Sequence, residues 1–169
     1  MKSVSLLLIV LLSVIATNGF TQEKSKKQIK EEQKIEKQKQ TEVLINSKKF
    51  VFKAKSAMPL GSSSVNLINA TYNIVFKPDY IKSYLPFYGT VYNGIGPGGD
   101  NGYKFKGKPV EFTITQRKKN YVIYAVIKED NDVYQISISV NPSGSASLSI
   151  NSNHRSSISY SGDILSPEL

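Results

Sequence analysis

The chain has 169 residues and a net charge of +9, because its 22 lysines and arginines outnumber its 13 aspartates and glutamates. It has no cysteine, which excludes disulfides, thiolate metal sites and a lipid anchor on an N-terminal cysteine. Nine lysines against five glutamates lie in residues 22–49, and twelve basic against eight acidic residues lie in residues 50–169, so the charge forms no single stripe. Nucleic-acid binding is therefore not expected, whereas weak attraction to anionic lipid or polysaccharide stays open.

Residues 1–21 predict a secretory signal peptide. Lys2 supplies a positive charge, and a twelve-residue apolar stretch from Val4 to Ile15, interrupted only by two serines, follows it. This stretch is shorter than the roughly 18 apolar residues that a transmembrane helix needs. We expect a periplasmic or otherwise exported protein that is not an integral membrane protein, with cleavage within residues 17–22; an uncleaved N-terminal anchor is the alternative.

Residues 22–48 form a separate segment that is rich in lysine, glutamate and glutamine and contains no glycine or proline. These residue types favour a helix, but apolar side chains are sparse except near Val43 and Leu44. The pattern predicts a charged helical leader whose last turns pack on the following domain. It is either a solvated leader or an arm that contacts a partner.

From residue 49 to residue 169 the sequence predicts an all-β domain. Apolar and polar residues alternate in five segments between Val110 and Tyr160, and short turns rich in Gly, Pro, Asn and Asp separate them. Earlier strands are predicted near 49–54, 64–69, 71–77 and 80–84. About eight or nine antiparallel strands with one apolar face predict a small meander barrel or sandwich.

The stretch Gly94–Gly99 matches the G-x-G-x-x-G pattern of dinucleotide-binding loops. That pattern works only between a strand and a helix, with an acidic residue about 20 positions further on. Glycines and a proline follow here, and position 119 is a lysine. We interpret the stretch as a flexible loop between strands, which can also line the mouth of a ligand site.

Tyrosines recur at every fourth position from residue 80 to residue 92, directly before the glycine loop. This segment either forms an aromatic platform for a sugar or an apolar ligand, or packs at the rim of the core. The candidate ligand mouth comprises Tyr84, Phe87, Tyr88, Tyr92, Gly96, Gly99 and Asp100.

No catalytic or metal-binding constellation is recognisable. His154 is the only histidine and lies in a turn, and no serine has a base beside it in the sequence. Asp100, or Asp130 with Asp132, could supply oxygen to calcium, but the spacing of a calcium loop is missing. Eleven serines in residues 137–161 alternate with apolar residues and are expected on solvated strand faces. We expect no enzyme, no cofactor and no metal.

Four segments carry a family resemblance: "KKFVFKAKSAMPL", "SVNLINATYNIVFKPDYIKSYLPFYGTVYNG", "GYKFKGKPVEFTIT" and "GSASLSINSNHRSSISYSGDI". They resemble the domain of unknown function (DUF) family 4251, exported proteins of Bacteroidetes, over about residues 45–165. The blocks "SYLPFYG" and "RSSISYSG" are the most specific. The resemblance implies a lipocalin-like antiparallel barrel after a helix, and it brings no activity.

The sequence leads to two hypotheses about function. The first is a non-enzymatic barrel that binds a small apolar or amphipathic ligand, a glycan or another envelope component at its open end. The alternative is a structural or protein-interaction module that uses the N-terminal helix as its contact arm. The ligand, the protein partner and the oligomeric state are not determined by the sequence.

Overall fold

A computed structural model describes residues 25–92 and 102–167 of the chain, so the predicted signal peptide lies outside the described residues. Helix α1 (Lys26–Ser47) comes first. It begins with a capping box, in which Ser25 Oγ accepts the N–H of Gln28 and Gln28 Oε1 accepts the N–H of Ser25. In the described part of the chain, no helix is both long and apolar enough to cross a membrane.

Ten strands follow in the described residues: β1 (Phe50–Pro59), β2 (Val65–Asn66), β3 (Asn73–Phe76), β4 (Ile81–Leu85), β5 (Tyr103–Gly107), β6 (Pro109–Arg117), β7 (Asn120–Lys128), β8 (Val133–Val140), β9 (Ser145–Asn151) and β10 (Ile158–Leu165). Their order in the sheet is β5-β4-β3-β1-β10-β9-β8-β7-β6, and β2 pairs with β1. Each pairing is antiparallel. The strands form a nearly closed barrel, which confirms the predicted fold class.

The barrel nearly closes because its two terminal strands are consecutive in the chain. β5 pairs with β4, and after Lys108 the chain continues as β6, which pairs with β7. Side chains bridge the gap between β5 and the β7–β8 hairpin: the rings of Phe105 and Tyr134 stack with centroids 4.3 Å apart. The carboxylate of Glu129 also accepts the backbone N–H of Lys106 on the free edge of β5.

The hydrophobic core forms because inward and outward side chains alternate along the strands. Inward side chains are buried, and the largest of them that are fully buried include Phe50, Phe52, Phe76, Tyr103 and Tyr160. The chain divides into two compact units, and the second, Lys34–Leu169, contains the barrel and the end of α1. Within this unit Thr41 and Ile45 of α1 are buried, as the prediction of docked last turns requires. Large side chains thus fill the interior, as in other small barrels.

Two strands differ from the sequence-based expectation. β5 was not predicted, although Tyr103 and Phe105 point inward and Lys104 and Lys106, which alternate with them, point outward. The strand predicted at 64–69 is reduced to β2, two residues that pair with Ser56 and Ala57 of β1. β1 has a bulge between Ala54 and Ser56. The residues before this bulge pair with β3, and those after it pair with β2.

Candidate functional site

The outer surface of β1, β3, β4 and β5 carries a concentration of lysine. The strand register aligns two outward rows across β10, β1, β3, β4 and β5. The first row consists of Asp163, Lys53, Asn73, Tyr84 and Lys104. The second row consists of Leu165, Val51, Val75, Lys82 and Lys106. The residues between these rows, such as Phe52 and Ile74, point into the core. We define the lysine–tyrosine face as Lys53, Lys77, Lys82, Lys104, Lys106, Tyr80 and Tyr84.

The tyrosines of this face hold lysine ammonium groups over their rings. Lys104 Nζ lies 5.0 Å from the centroid of the Tyr84 ring. Lys77 Nζ and Lys106 Nζ lie 5.3 and 4.8 Å from the centroid of the Tyr80 ring. Such cation–π contacts fix the position of otherwise flexible lysines and keep their charge at the surface. Cationic and aromatic groups therefore lie side by side.

Two open grooves run along this face. One has a volume of about 430 Å³ and is bordered by Lys53, Lys77 and Tyr80. The other has a volume of about 740 Å³ and is bordered by Tyr84 together with Lys82, Lys104 and Lys106. Both include Thr71, Asn73 and Val75, which are uncharged. The grooves thus combine a neutral floor with a mostly cationic rim.

Carboxylates offset part of this positive charge. Asp163 forms an ion pair with Lys55 of β1. Glu129 borders the larger groove, and burial raises the pKa of its carboxyl group. The N–H of Lys106 opposes that increase, while Asp132 and Asp130 add to it. Positive charge still predominates at the rim.

The structure separates the residues of the predicted ligand mouth. Tyr84 lies on the lysine–tyrosine face with 42% of its surface exposed, and Tyr88 and Tyr92 are exposed as well. Phe87 instead points inward and meets the Tyr103 ring edge-on at 5.3 Å. Gly96, Gly99 and Asp100 lie outside the described residues, so the mouth stays a prediction.

Tyr72, which the sequence analysis did not single out, joins two of the predicted mouth residues. Its ring lies 5.5 Å from that of Tyr84. Burial raises the pKa of Tyr88, and the neighbouring Tyr72 raises it further. Tyr72 just before β3, Tyr84 on β4 and Tyr88 after β4 therefore form one aromatic group beside the larger groove.

A buried charged group at the same end of the barrel also escaped the sequence analysis. The segment after β4 pairs with the β9–β10 turn, since the N–H of Tyr92 donates to the carbonyl of His154 and the N–H of Ser156 donates to that of Thr90. Between them, the Arg155 guanidinium lies 5.0 Å from the Tyr103 ring centroid. A sequence signal existed, because Arg155 is the only lysine or arginine after Lys128.

Asp132 faces Arg155 but is held by other donors. Its Oδ1 accepts the N–H groups of Val133 and Asn153, and its Oδ2 accepts the Ser152 hydroxyl at 2.6 Å. Arg155 Nη1 is 3.9 Å from Asp132 Oδ2, which is an ion pair without a hydrogen bond. The Asp132–Arg155 pair holds the turn in place at this end of the barrel, and its two opposite charges compensate each other.

Two polar side chains of the turn, His154 and Ser152, are committed to structural contacts. His154 Nε2 donates to the carbonyl of Asn131 over 2.7 Å, and the Ser152 hydroxyl donates to Asp132, so these two side chains do not form a nucleophile–base pair. In residues 25–92 and 102–167, no group of three or more His, Asp or Glu side chains is arranged to hold a metal ion.

Comparisons with known proteins agree with this architecture. The family model of DUF4251, a domain of unknown function, matches residues 32–164, which confirms the resemblance drawn from the sequence. The crystal structure of a DUF4251 family protein from Bacteroides eggerthii DSM 20697 superposes with a TM-score of 0.60 at 18% identity. The match covers 77% of this chain and 87% of that chain, and it shows a shared fold. No curated protein matches the chain.

Proposed function

The chain belongs to the DUF4251 family, and on that premise we propose that it is an exported, non-catalytic barrel that binds an anionic amphiphile of the cell envelope. The lysine–tyrosine face is the proposed contact surface. One observation carries the proposal: cationic side chains from three strands border grooves whose floor is uncharged. An anionic headgroup would meet the lysines, while the apolar part of the same molecule would lie against Val75 and the tyrosine rings.

The expected affinity is modest. Each lysine near an anionic lipid surface contributes about 1 kcal/mol, so the four outward lysines of the two rows correspond to a Kd of about 1 mM. Every 100 Å² of apolar surface that the ligand covers adds about 2.5 kcal/mol. Binding in the micromolar range therefore requires the groove floor and the tyrosines as well as the charge.

Vesicle co-sedimentation tests the proposal directly. We expect the mature protein to bind vesicles that contain phosphatidylglycerol and to ignore vesicles of phosphatidylcholine alone. The double variant Lys82→Gln/Lys106→Gln removes two charges from the rim and should weaken binding about 10-fold or more.

The matched control is Lys118→Gln/Lys119→Gln, which removes the same charge from the exposed β6–β7 turn. This control should change binding less than about 2-fold, because the turn lies outside the rows and grooves described above. Equal losses in both variants would mean attraction by net charge alone. Failure of the unaltered protein to bind anionic vesicles would overturn the proposal.

The helical arm is a second candidate, favoured by the exposure of residues 25–40 throughout. In this alternative the charged side chains of α1 contact a protein partner. Deletion of residues 22–33 leaves the buried Thr41 and Ile45 in place. If a cross-linked partner is captured equally well after that deletion, the part of the arm before Lys34 is not the contact.

A further inference from the structure

Strand β6 has one unpaired edge. It pairs with β7 on one side, and in the described part of the chain no strand pairs with its other side. The turn to β7 has only two residues, with Lys118 at φ 57°, and Arg117 pairs with Asn120 across it. The residues that flank a two-residue hairpin turn form a hydrogen-bonded pair, so the backbone groups of Arg117 point to β7.

The pattern continues by alternation along the strand. Glu111, Thr113 and Thr115 also direct their backbone groups to β7, because their positions are odd like that of Arg117. Phe112, Ile114 and Gln116 therefore direct their N–H and C=O groups to the open edge. An edge of this length is a template for pairing with another strand unless it is protected.

The side chains along this edge are self-complementary. Glu111, Thr113, Thr115 and Arg117 are exposed on the outer face, while Phe112 and Ile114 are half-buried on the inner face. An acidic residue thus lies three positions before Ile114 and a basic residue three positions after it. On the outer face the strand therefore carries a negative charge, two threonines and a positive charge, in positions symmetric about Ile114.

We propose that β6 pairs with β6 of a second copy of this chain, antiparallel about a two-fold axis at Ile114. In this register Ile114 faces its own copy, Phe112 faces Gln116, Thr113 faces Thr115 and Glu111 faces Arg117. The interface is isologous, as in most two-fold dimers.

This register gives partners both to the backbone hydrogen-bonding groups of the edge and to the two charged side chains. The three even-numbered residues form the hydrogen-bonded pairs, since their N–H and C=O groups face the edge. Glu111 and Arg117 form a non-hydrogen-bonded pair, where Cα atoms are about 4.5 Å apart and side chains meet closely. The symmetry produces this ion pair twice.

Neighbouring registers lose that match. A centre at Thr113 sets Glu111 opposite Thr115 and Arg117 opposite Pro109, so neither charge has a partner. A centre at Thr115 sets Arg117 opposite Thr113 and leaves Glu111 opposite the turn. Charge complementarity therefore selects the centre at Ile114.

Charge reversal tests the pairing in sedimentation equilibrium over a wide range of protein concentration. The unaltered protein should show a monomer–dimer equilibrium. Glu111→Arg alone and Arg117→Glu alone should each weaken dimerisation about 10-fold, because two attractive contacts become repulsive. The combined variant Glu111→Arg/Arg117→Glu should restore it to within about 3-fold. A monomer at every concentration, or no restoration by the combined variant, would overturn the proposal.

Cysteine cross-linking tests which residues of β6 face each other in the proposed dimer. The chain has no native cysteine, so Thr113→Cys/Thr115→Cys introduces the only thiols. Oxidation should link the two copies efficiently, because positions 113 and 115 face each other at a separation that a disulfide spans. Thr113→Cys alone is the control and should link poorly. Efficient linking by the single variant, or none by the double variant, would contradict the register.

Discussion

The barrel presents two outer faces that share one fold and differ in chemistry. The lysine–tyrosine face covers β1, β3, β4 and β5. The strands β8, β9 and β10 present a serine face, which we define as Ser137, Ser139, Ser147, Ser149, Ser159 and Ser161. Under the first face lie Phe52 and Ile74, and under the second lie Ile138 and Leu148, all fully buried. Packing thus fixes the inward residues equally on both sides, and the outward residues are where the two sides differ.

The serine face shows what an outward surface without charge looks like. Its hydroxyls lie in rows across neighbouring strands, and the Ser161 hydroxyl lies 2.6 Å from that of Ser56 on β1. Small hydroxyl side chains suit solvated strands and need no partner beyond water. The lysine–tyrosine face departs from this pattern, and that departure supports a binding role for it.

Gly162 lies where the two faces meet, and its replacement should have the largest effect. A Cβ atom at this position would collide with the carbonyl group of Lys53 and crowd the ring of Phe52. Gly162→Ala should therefore destabilise the fold by about 3 kcal/mol, because backbone must move at the β1 bulge. Urea denaturation measures the change in the free energy of unfolding.

The control for this substitution is Gly61→Ala. Gly61 differs from Gly162 in having a positive φ of 75°, and nothing lies within 4 Å of its added Cβ. Gly61→Ala should lower the free energy of unfolding by about 1 kcal/mol, from backbone strain alone. Equal costs at the two glycines would show that the faces are not joined by a close backbone contact.

The second-largest loss of stability is expected from Tyr160, and it should be confined to the part of the barrel that carries the lysine–tyrosine face. The buried hydroxyl of Tyr160 donates to the carbonyl of Pro86 over 2.7 Å, just after β4 ends. Tyr160→Phe should cost about 1–2 kcal/mol, because that carbonyl loses its partner in the interior. Hydrogen exchange should accelerate at the Tyr92 N–H and stay unchanged at Ser149. Acceleration on both sides would indicate global rather than local loosening.

Much of the fold follows from the sequence, because strand alternation is read directly from neighbouring residues. β6 to β10 were predicted for this reason, and so was the outward position of the serines. β5 was missed because Gly102 precedes it and Gly107 is its last residue, which makes the region resemble a loop. Four residues between two glycines are too few for periodicity alone to identify a strand.

The candidate site could not be read in the same way. Lys53 and Lys104 lie in different parts of the sequence and come into the same outward row only through the register of β1, β3, β4 and β5. The same applies to Arg155, whose contact with Tyr103 depends on the pairing of the segment after β4 with a distant turn. Sequence spacing shows which face a residue takes on its own strand, but not what stands beside it.

A smaller effect comes from Glu129, at the edge of the larger groove, and it depends on pH. Burial raises the pKa of this carboxyl group, so the folded chain holds the proton more tightly than the unfolded chain. Stability from this group is present at low pH and is lost as pH rises through the folded pKa. Glu129→Gln keeps an acceptor for the Lys106 N–H and removes the charge.

The expected result is a slightly higher Tm for Glu129→Gln near neutral pH and a difference that disappears toward acid pH, as the native carboxyl becomes protonated. Differential scanning fluorimetry across this range measures it. The control is the exposed Asp79→Asn, which also removes one negative charge. A Tm difference for Glu129→Gln that grows toward acid would contradict the assigned direction of the pKa.

The smallest effect is expected on the serine face. Ser137 and Ser149 are paired across β8 and β9 on the outer surface, and water can replace each hydroxyl contact. Ser137→Ala/Ser149→Ala should change the free energy of unfolding by less than about 0.5 kcal/mol. It should also leave binding to anionic vesicles unchanged, because neither charge nor ring is removed. A marked loss of vesicle binding would place a contact surface on both sides of the barrel, and the difference in charge between the faces would then no longer identify the binding side.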